Sequence, residues 1–310
     1  MQIEILGAES LVVRGLSCFV RAGERRILID PGVALGYLRH GLLPHPFQVA
    51  VGARVRESII SALGKSTDVV FSHFHGDHVP LADANPYQLA LSLVAASMAH
   101  TRLCGPDPTD LGQKMGERRA AIISASGREV STAEGMSDDT FTFSRPMPHG
   151  EHGNGLGTVM MTRIEHGGEV FVHASDIQLL ERRPIKQIID WQPDVVLAGG
   201  PPLYLRRLSS ESQKRAWDNA RTLARNVPTL ILDHHLLRSK SGADWLSRLK
   251  TESTGAVVCA ADFMHVPRRF LEAWRRQLYR ELPVPKGWHE KYARKEVDTQ
   301  DYLAWRDFLV

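Results

Sequence analysis

The residues best suited to chemistry lie in one short run, His73-Phe-His75-Gly-Asp77-His78, directly after the apolar stretch 69–71. Imidazole and carboxylate groups together form a ligand set for zinc, iron or manganese. In an extended chain, alternation places His73 and His75 on one side and leaves Asp77 and His78 to turn toward a second cation. A solvated histidine-rich loop is the alternative, but such loops rarely follow a buried strand. The run therefore predicts a metal site at a strand end.

Further acids and histidines occur in the same context, just beyond an apolar β-type stretch or in the loop that follows one. These positions are Asp30, His149, Asp176 and the pair His234-His235. Side chains at the ends of several strands meet along one rim of a layered α/β fold, where such folds place their chemistry. The sequence thus predicts that distant parts of the chain complete the site.

Apolar periodicity predicts the elements that must position these side chains. Short β-type runs at 3–6, 11–13, 17–20 and 26–30 precede a loop from 33 to about 52 and a helix over 54–63. The pattern from 86 to 125 is mainly helical. Later strands near 140–143, 158–164, 169–173, 195–198, 229–232 and 256–260 alternate with helices over 184–191, 209–225, 242–250 and 267–281. This order predicts layered α/β packing.

Composition limits the classes of function. The chain has 310 residues, is 43% hydrophobic and carries a net charge of +3, which by itself is too small to argue for a nucleic-acid partner. Cys18, Cys104 and Cys259 have no paired spacing, which indicates a reducing compartment without disulfides. With no basic n-region at the N-terminus and no apolar run of bilayer length, we expect a cytoplasmic protein without membrane contact.

Basic and aromatic residues alternate between Arg268 and Lys295. This pattern favours an amphipathic helix with a solvated basic face. A surface for an anionic substrate is the alternative interpretation.

The order of the candidate ligands, with the HxHxDH run among them, resembles the five motifs of the metallo-β-lactamase superfamily over essentially the whole chain. Leu-Ile-Asp-Pro-Gly-Val-Ala-Leu, Leu-Pro-His-Pro and Leu-Asp-His-His-Leu-Leu-Arg are similar to a mainly archaeal, hydrolase-like group that supplies no substrate. The resemblance implies an α/β fold, the four-layer αββα sandwich. It also implies a single domain over 1–310, in which the residue pattern predicts a basic helical C-terminal segment at 267–310.

The resemblance also implies a role for each ligand. The implied first-metal ligands are His73, His75 and His149, and the implied second-metal ligands are Asp77, His78 and His234. Asp176 would bridge the two metals. Asp30 would orient the HxHxDH segment at 73–78, which we call the motif loop, by hydrogen bonds. Two ligand positions stay open, because His152 is an alternative to His149 and His235 is an alternative to His234. We regard His45, His152, His235 and His265 as candidate substrate contacts.

Two divalent cations, zinc first and manganese or iron as alternatives, can hold a hydroxide and polarise a carbonyl or phosphoryl oxygen. Asp77 or Asp176 could accept the proton. We therefore expect hydrolysis of an ester, thioester, lactone or phosphodiester in a small or anionic substrate. A carboxylate at 176, where many antibiotic-hydrolysing members have cysteine, argues against β-lactams. The alternatives are a nuclease, which the short interval between Asp176 and His234 disfavours, and an iron-dependent oxidoreductase.

Overall fold

The computed structural model describes residues 1–151, 153 and 155–303. Their strands form two six-stranded sheets and one two-stranded ribbon. In chain order the strands are β1 (Gln2–Gly7), β2 (Ser17–Ala22), β3 (Arg25–Ile29), β4 (Asp68–Val70), β5 (Arg102–Gly105), β6 (Val130–Thr132), β7 (Phe141–Phe143), β8 (Met147–Pro148), β9 (Thr158–Val159), β10 (Thr162–His166), β11 (Glu169–Ser175), β12 (Val195–Ala198), β13 (Thr229–Leu232) and β14 (Ala256–Val258).

The helices lie mainly between the strands. They are α1 (Pro46–Leu63), α2 (Ala95–Met98), α3 (Gln113–Ser126), α4 (Arg182–Asp190), α5 (Ser210–Asn226), α6 (Lys240–Glu252), α7 (Ala260–Phe263), α8 (Arg275–Glu281), α9 (Trp288–Ala293) and α10 (Gln300–Leu303). Short 3-10 turns occur at Leu91–Leu93, Pro108–Asp110 and Leu236–Arg238. Within the described ranges, each helix is too short or too polar to cross a bilayer.

The two sheets follow one plan. In the first, β1, β2 and β3 are antiparallel neighbours and β3 to β6 run parallel, in the order β1-β2-β3-β4-β5-β6. In the second, β7, β10 and β11 are antiparallel and β11 to β14 run parallel, in the order β14-β13-β12-β11-β10-β7. Because parallel strands of one sheet end at the same edge, the loops after β3 and β4 share a rim, as do those after β11 and β13.

Alternation along the strands of the first sheet produces two cores. Ile27, Ile29 and Val70 pack in the space between the sheets, whereas Leu28 and Val69 pack on the other face among residues of α1 and α3. Successive residues of a strand point to opposite faces, so a sheet covered on both sides needs near-continuous apolar runs. This is the reason that β3 and β4 are apolar without interruption at their buried ends.

The second sheet is covered in the same way. Phe171 and Leu197 face the first sheet, while Val172 and Ala198 pack among apolar residues of α4, α5 and α6. The layers therefore run helix, sheet, sheet, helix. The layered α/β packing predicted from the sequence pattern and the four-layer arrangement implied by the resemblance are both confirmed.

Three local predictions in the first 125 residues fail: the start of a helix, a mainly helical region and a short strand. Helix α1 begins at Pro46, not at 54, because His45 accepts a hydrogen bond from the Phe47 N–H and Pro46 occupies the first helical position. The region 86–125, predicted as mainly helical, contains β5. Residues 11–13 form no strand, and Leu11 makes only an isolated bridge to Arg269.

The same bridge explains why the helix predicted over 267–281 is shorter. The Arg269 N–H donates to the Ser10 carbonyl at 2.9 Å, so this stretch is bound to the N-terminal part of the chain in a non-helical conformation. Helix α8 starts only at Arg275, and α9 and α10 follow as separate short helices. A tertiary contact thus overrides the local helical pattern.

Candidate metal centre

Asp176 follows β11 directly, and its two carboxylate oxygens face different imidazoles. Oδ2 lies 3.1 Å from His149 Nε2 and 3.6 Å from His73 Nε2. Oδ1 lies 3.1 Å from His78 Nε2 and 3.3 Å from His234 Nε2. One buried carboxylate therefore stands between two groups of ligand-type side chains.

We call the first group the Oδ2 ligand set; it comprises His73, His75 and His149 beside Asp176. Their ligand atoms all lie within 4.8 Å of one another. His73 and His149 are buried and His75 is half-buried. Three imidazoles and a carboxylate at this spacing are suitable ligands for zinc.

The second group, the Oδ1 ligand set, comprises Asp77, His78 and His234, whose ligand atoms also lie within 4.8 Å of one another. His234 Nε2 is 3.5 Å from Asp77 Oδ2. The Asp77 side chain is 21% exposed, whereas that of Asp176 is 2% exposed. The Oδ1 set is thus the one whose carboxylate reaches solvent.

Buried polar atoms without partners point into both sets. Within the described part of the chain, His73 Nε2, His78 Nε2 and Asp176 Oδ1 are buried and make no well-aligned hydrogen bond, although His78 Nε2 lies 3.1 Å from Asp176 Oδ1. Buried polar atoms are nearly always paired, so orphans that converge on one place indicate a missing ligand. The residues present therefore fit a pair of cations.

Asp30, after β3, orients the motif loop. Its Oδ1 accepts from the Ser72 N–H at 2.8 Å, and its Oδ2 lies 2.7 Å from Ser72 Oγ, 2.9 Å from His78 Nδ1 and 2.9 Å from Ser175 Oγ. Ser72 Oγ is also 2.8 Å from His73 Nδ1. A carboxylate that accepts from Nδ1–H leaves the Nε2 lone pair of His78 free for a cation. Sequence reasoning missed both serines, although each directly precedes a predicted ligand.

Protonation divides the histidines. Burial lowers the pKa of His75 to about 4 and holds the pKa of His73 well below its usual range. Burial also opposes a charge on His78, but Asp176 and Asp30 beside it raise its pKa well above the usual value. Burial would raise the pKa of Asp176, yet the surrounding imidazoles, His78 foremost, hold it well below its usual range. Neutral imidazole and ionised carboxylate are the forms that bind metal.

Two glycines from the first half of the chain hold the motif loop by its backbone. The Gly32 N–H donates to the His78 carbonyl at 2.9 Å, and a Cβ at Gly32 would lie 2.1 Å from the Val79 nitrogen. Gly15 has φ +102°, and a Cβ there would lie 2.3 Å from the Asp77 carbonyl oxygen. Neither position can accept a side chain unless the loop moves.

Both members of the His234-His235 pair reach the centre. His235 Nε2 lies 3.0 Å from Asp176 Oδ2 and 3.3 Å from His149 Nε2, so it borders the Oδ2 set, whereas His234 lies on the Oδ1 side. Burial lowers the pKa of His235 to about 4. His152, the competitor of His149, lies outside the described residues.

The structure does not bring His45 and His265 into the centre as predicted. His45 is fully buried as the N-cap of α1, and its Nε2 lies 2.8 Å from the Leu282 carbonyl, so both ring nitrogens serve the fold. His265 is exposed in the turn after α7, with φ 54°, and does not open a helix. The proline-flanked His45 resembled a loop residue because its capping role depends on the helix that follows it.

Arg238 is a site residue that sequence reasoning missed. It ends the 3-10 turn Leu236–Arg238 and is 6% exposed. Its Nη2 lies 3.3 Å from Asp77 Oδ2 and 2.7 Å from His234 Nε2, and its Nη1 donates to the Tyr204 hydroxyl at 3.2 Å. The sequence feature that could have revealed Arg238 is its position at the end of Leu-Asp-His-His-Leu-Leu-Arg, four residues after His234 and therefore about one helical turn away.

Two mixed sheets flanked by helices, with an HxHxDH loop and a carboxylate between two ligand sets, define a metallo-β-lactamase-fold protein. The chain is 48% identical over 303 residues to a UPF0282 protein of Methanosarcina mazei, covering 98% of this chain and 100% of that protein. It is 35% identical over 290 residues to a UPF0282 protein of Methanopyrus kandleri, covering 90% and 99%. The chain therefore belongs to the UPF0282 family.

One similar solved structure is the metallo-β-lactamase fold protein YhfI from Bacillus subtilis. It is 12% identical in sequence, with a TM-score of 0.49 over 83% of this chain and 95% of that one. No family model matches the chain.

Proposed function

We propose that this protein is a metal-dependent hydrolase whose centre takes two divalent cations, zinc by preference and manganese or iron as alternatives. The observation that carries the proposal is the position of Asp176, one oxygen toward each ligand set. His73, His75 and His149 would hold the first cation, and Asp77, His78 and His234 the second. Asp176 would contact both.

The chemistry follows from this placement. When bound, two such cations polarise a scissile carbonyl or phosphoryl oxygen and make water a stronger nucleophile near neutral pH. Asp77 is the carboxylate at the solvent side of the centre and accepts the proton of the attacking water. Asp30 is a positioning residue, because it acts on His78 directly and on His73 through Ser72.

The substrate belongs to the esters in the broad sense: an ester, thioester, lactone or phosphodiester. Cys18, Cys104 and Cys259 are buried free thiols, which supports the proposal that the protein works in a reducing cytoplasm.

Metal analysis followed by a substrate panel tests the proposal. We expect purified protein, loaded with zinc or manganese, to hold up to two metals per chain by elemental analysis. It should hydrolyse p-nitrophenyl acetate, a thioester, a lactone or bis(p-nitrophenyl) phosphate, and a chelator should abolish the activity until metal is restored. A matched control is Asp190→Asn on the exposed face of α4, where the aspartate pairs with Lys186.

Two results would contradict the proposal. One is protein that takes up no transition metal, and the other is activity that a chelator leaves unchanged. Iron alone, together with oxygen uptake on a persulfide, would replace the hydrolase with the oxidoreductase of the same fold.

A further inference from the structure

Arg238 holds its positive charge directly beside the Oδ1 ligand set. Its Nη2 is 2.7 Å from His234 Nε2 and 3.2 Å from His234 Nδ1. An atom in line with the Nε2 lone pair would be much farther from Nδ1, so these two distances place Nη2 over the imidazole face. The guanidinium therefore lies against His234 without occupying the lone pair that a cation needs.

Two other arginines of this region, the half-buried Arg14 and the buried Arg275, are bound by the fold. Arg14 makes a two-pronged pair with Glu272. Arg275 donates from Nη1 to the Gly36 carbonyl at 2.6 Å and from Nη2 to Gln48 Oε1 at 3.0 Å. Such contacts use the planar fork of the guanidinium and fix it in place.

Arg238 differs because it has neither a two-pronged carboxylate pair like that of Arg14 nor, among the described residues, a hydrogen bond to oxygen shorter than 3.2 Å. Its contact with a carboxylate oxygen, Asp77 Oδ2, is 3.3 Å long, and its Nε has no hydrogen-bond partner among the described residues. Asp77 is also a predicted metal ligand, so the guanidinium would share this carboxylate with a cation. A buried guanidinium in this position still needs an anion.

The Glu9 carboxyl balances the positive charge of Arg238 only in part. Its Oε2 is 3.5 Å from Arg238 Nε, beyond a good hydrogen bond, and neither of its oxygens has a hydrogen-bond partner within the described part of the chain. Burial and the neighbouring Glu272 raise the pKa of Glu9 well above its usual value. Both causes act against the charged form of Glu9, so this carboxyl balances the charge of Arg238 less well than an exposed carboxylate would.

Tyr204 and Arg39 contact Arg238, and the three side chains form one corner beside the Oδ1 set. The Tyr204 hydroxyl accepts from Arg238 Nη1, and the Arg39 guanidinium lies over the Tyr204 ring at 4.9 Å. Arg39 Nη2 donates to the Arg238 carbonyl at 2.8 Å. Arg39 and Tyr204 are half-buried, so this corner presents two cationic groups and a phenol near the Oδ1 set.

We propose that Arg238, with Tyr204 and Arg39, forms an anion subsite beside the Oδ1 ligand set, and that the substrate is a phosphate ester anion. This inference rests on the proposed function and selects one substrate class within it. A guanidinium matches pairs of phosphate oxygens in geometry and charge. A neutral ester or lactone carries no ground-state charge that would use a buried cation next to the reacting bond.

The first test measures binding without turnover. Inorganic phosphate is titrated into metal-loaded protein by calorimetry, with wild type, Arg238→Gln and Arg238→Lys compared. We expect Arg238→Gln to weaken phosphate binding about 10- to 100-fold and Arg238→Lys to weaken it less, since lysine keeps the charge but loses the fork. Arg248→Gln, on the exposed side of α6, is the matched control and should leave the affinity unchanged. Equal affinity in wild type and Arg238→Gln would overturn the proposal.

The second test separates substrate recognition from a structural role. We expect kcat/KM for bis(p-nitrophenyl) phosphate to fall about 10- to 100-fold in Arg238→Gln, while that for neutral p-nitrophenyl acetate changes less than about 3-fold. Elemental analysis should show an unchanged metal content. Equal losses on both substrates, or loss of metal, would make Arg238 structural and overturn the subsite.

A third substrate decides between two anions. If an ester that carries a carboxylate depends on Arg238 and the phosphodiester does not, the assignment to phosphate esters is wrong. If wild type hydrolyses no member of the panel, the proposed function fails, and the phosphate titration still decides whether Arg238 binds an anion.

Discussion

The two ligand sets share Asp176 but differ in charge. Apart from Asp176, the Oδ2 set consists of imidazoles, and burial lowers the pKa of His75 to about 4, which favours its neutral form above that pH. The Oδ1 set combines Asp77 with His78, whose pKa is raised, and with His234, which contacts Arg238. A cation in the Oδ1 set competes with the proton that Asp176 and Asp30 favour on His78, and it lies near the Arg238 guanidinium. We therefore expect the Oδ2 set to hold its cation more firmly and the Oδ1 set to exchange it more readily.

Removing the shared carboxylate should have the largest effect. In Asp176→Asn, one charge and one ligand are lost from both sets at once while the side-chain shape is kept. We expect the metal content to fall from two per chain to below one, measured by elemental analysis after dialysis against a weak chelator. If both metals remain, Asp176 does not bridge the sets. Asp190→Asn again serves as the control.

A pair of substitutions can break the comparison between the sets. His149→Asn should release the cation of the Oδ2 set, and His234→Asn should release that of the Oδ1 set, each leaving about one metal per chain. Losing a ligand should cost more affinity than the roughly 10- to 100-fold seen when a supporting residue is removed. Competition with a chromophoric chelator measures the metal that remains. We expect the cation retained by His234→Asn to be the tighter one; the reverse order would contradict the ranking.

Asp30 supports both sets, so its removal should weaken both by similar factors. In Asp30→Asn the amide cannot accept from Ser72, Ser175 and His78 together as the carboxylate does. We expect affinity for each metal to fall about 10- to 100-fold with no change in stoichiometry at saturating metal. A selective loss from one set, by the same competition assay, would show that Asp30 serves only that set.

Substitution of His45 should have the smallest effect, a change in how the free energy of unfolding depends on pH. Because His45 lies outside both ligand sets, this measurement separates unfolding by acid from loss of metal by acid. Burial holds its pKa at about 4 in the folded protein, against 6.5 in the unfolded chain. Between these values the unfolded chain binds more protons, so stability rises with pH and is lost as pH falls from 6.5 toward 4. His45→Asn keeps an N-cap that does not titrate, so stability should fall less steeply, by at most about 1.4 kcal/mol per pH unit.

Urea unfolding of the metal-free wild type and of His45→Asn at pH 7 and pH 5 measures this difference. The other buried histidines titrate in both proteins and cancel in the comparison. Identical slopes would mean that the His45 ring remains outside the acid transition.

The convergence of the candidate ligands could be predicted from the sequence because each lies just after a buried strand or in a loop beyond one, and parallel strands of one sheet end at the same edge. Asp30 and Asp176 are cases where an apolar run followed by an acid was sufficient. Arg238 was not predictable in this way. It ends a 3-10 turn, and its function depends on Asp77 and Tyr204, which are distant in sequence.

The errors in the fold have the same origin. Helix α1 was predicted to start too late because the flanking prolines at 44 and 46 indicate a loop unless His45 is seen to cap the helix. The helix predicted over 267–281 was too long because Arg269 pairs with Leu11, and no local pattern reports that contact. Local periodicity predicts elements whose partners are nearby, whereas these two depend on packing partners elsewhere in the chain.

Gly15 and Gly32 affect how this centre can be recognised in homologous proteins. Their missing side chains make room for the carbonyl of Asp77 and the peptide between His78 and Val79. A homologue could keep every candidate metal ligand and still lose their arrangement through a single methyl group at either position. The presence of the candidate ligands alone is therefore not enough to identify an intact centre, and these two glycines are the positions to inspect first in a divergent homologue.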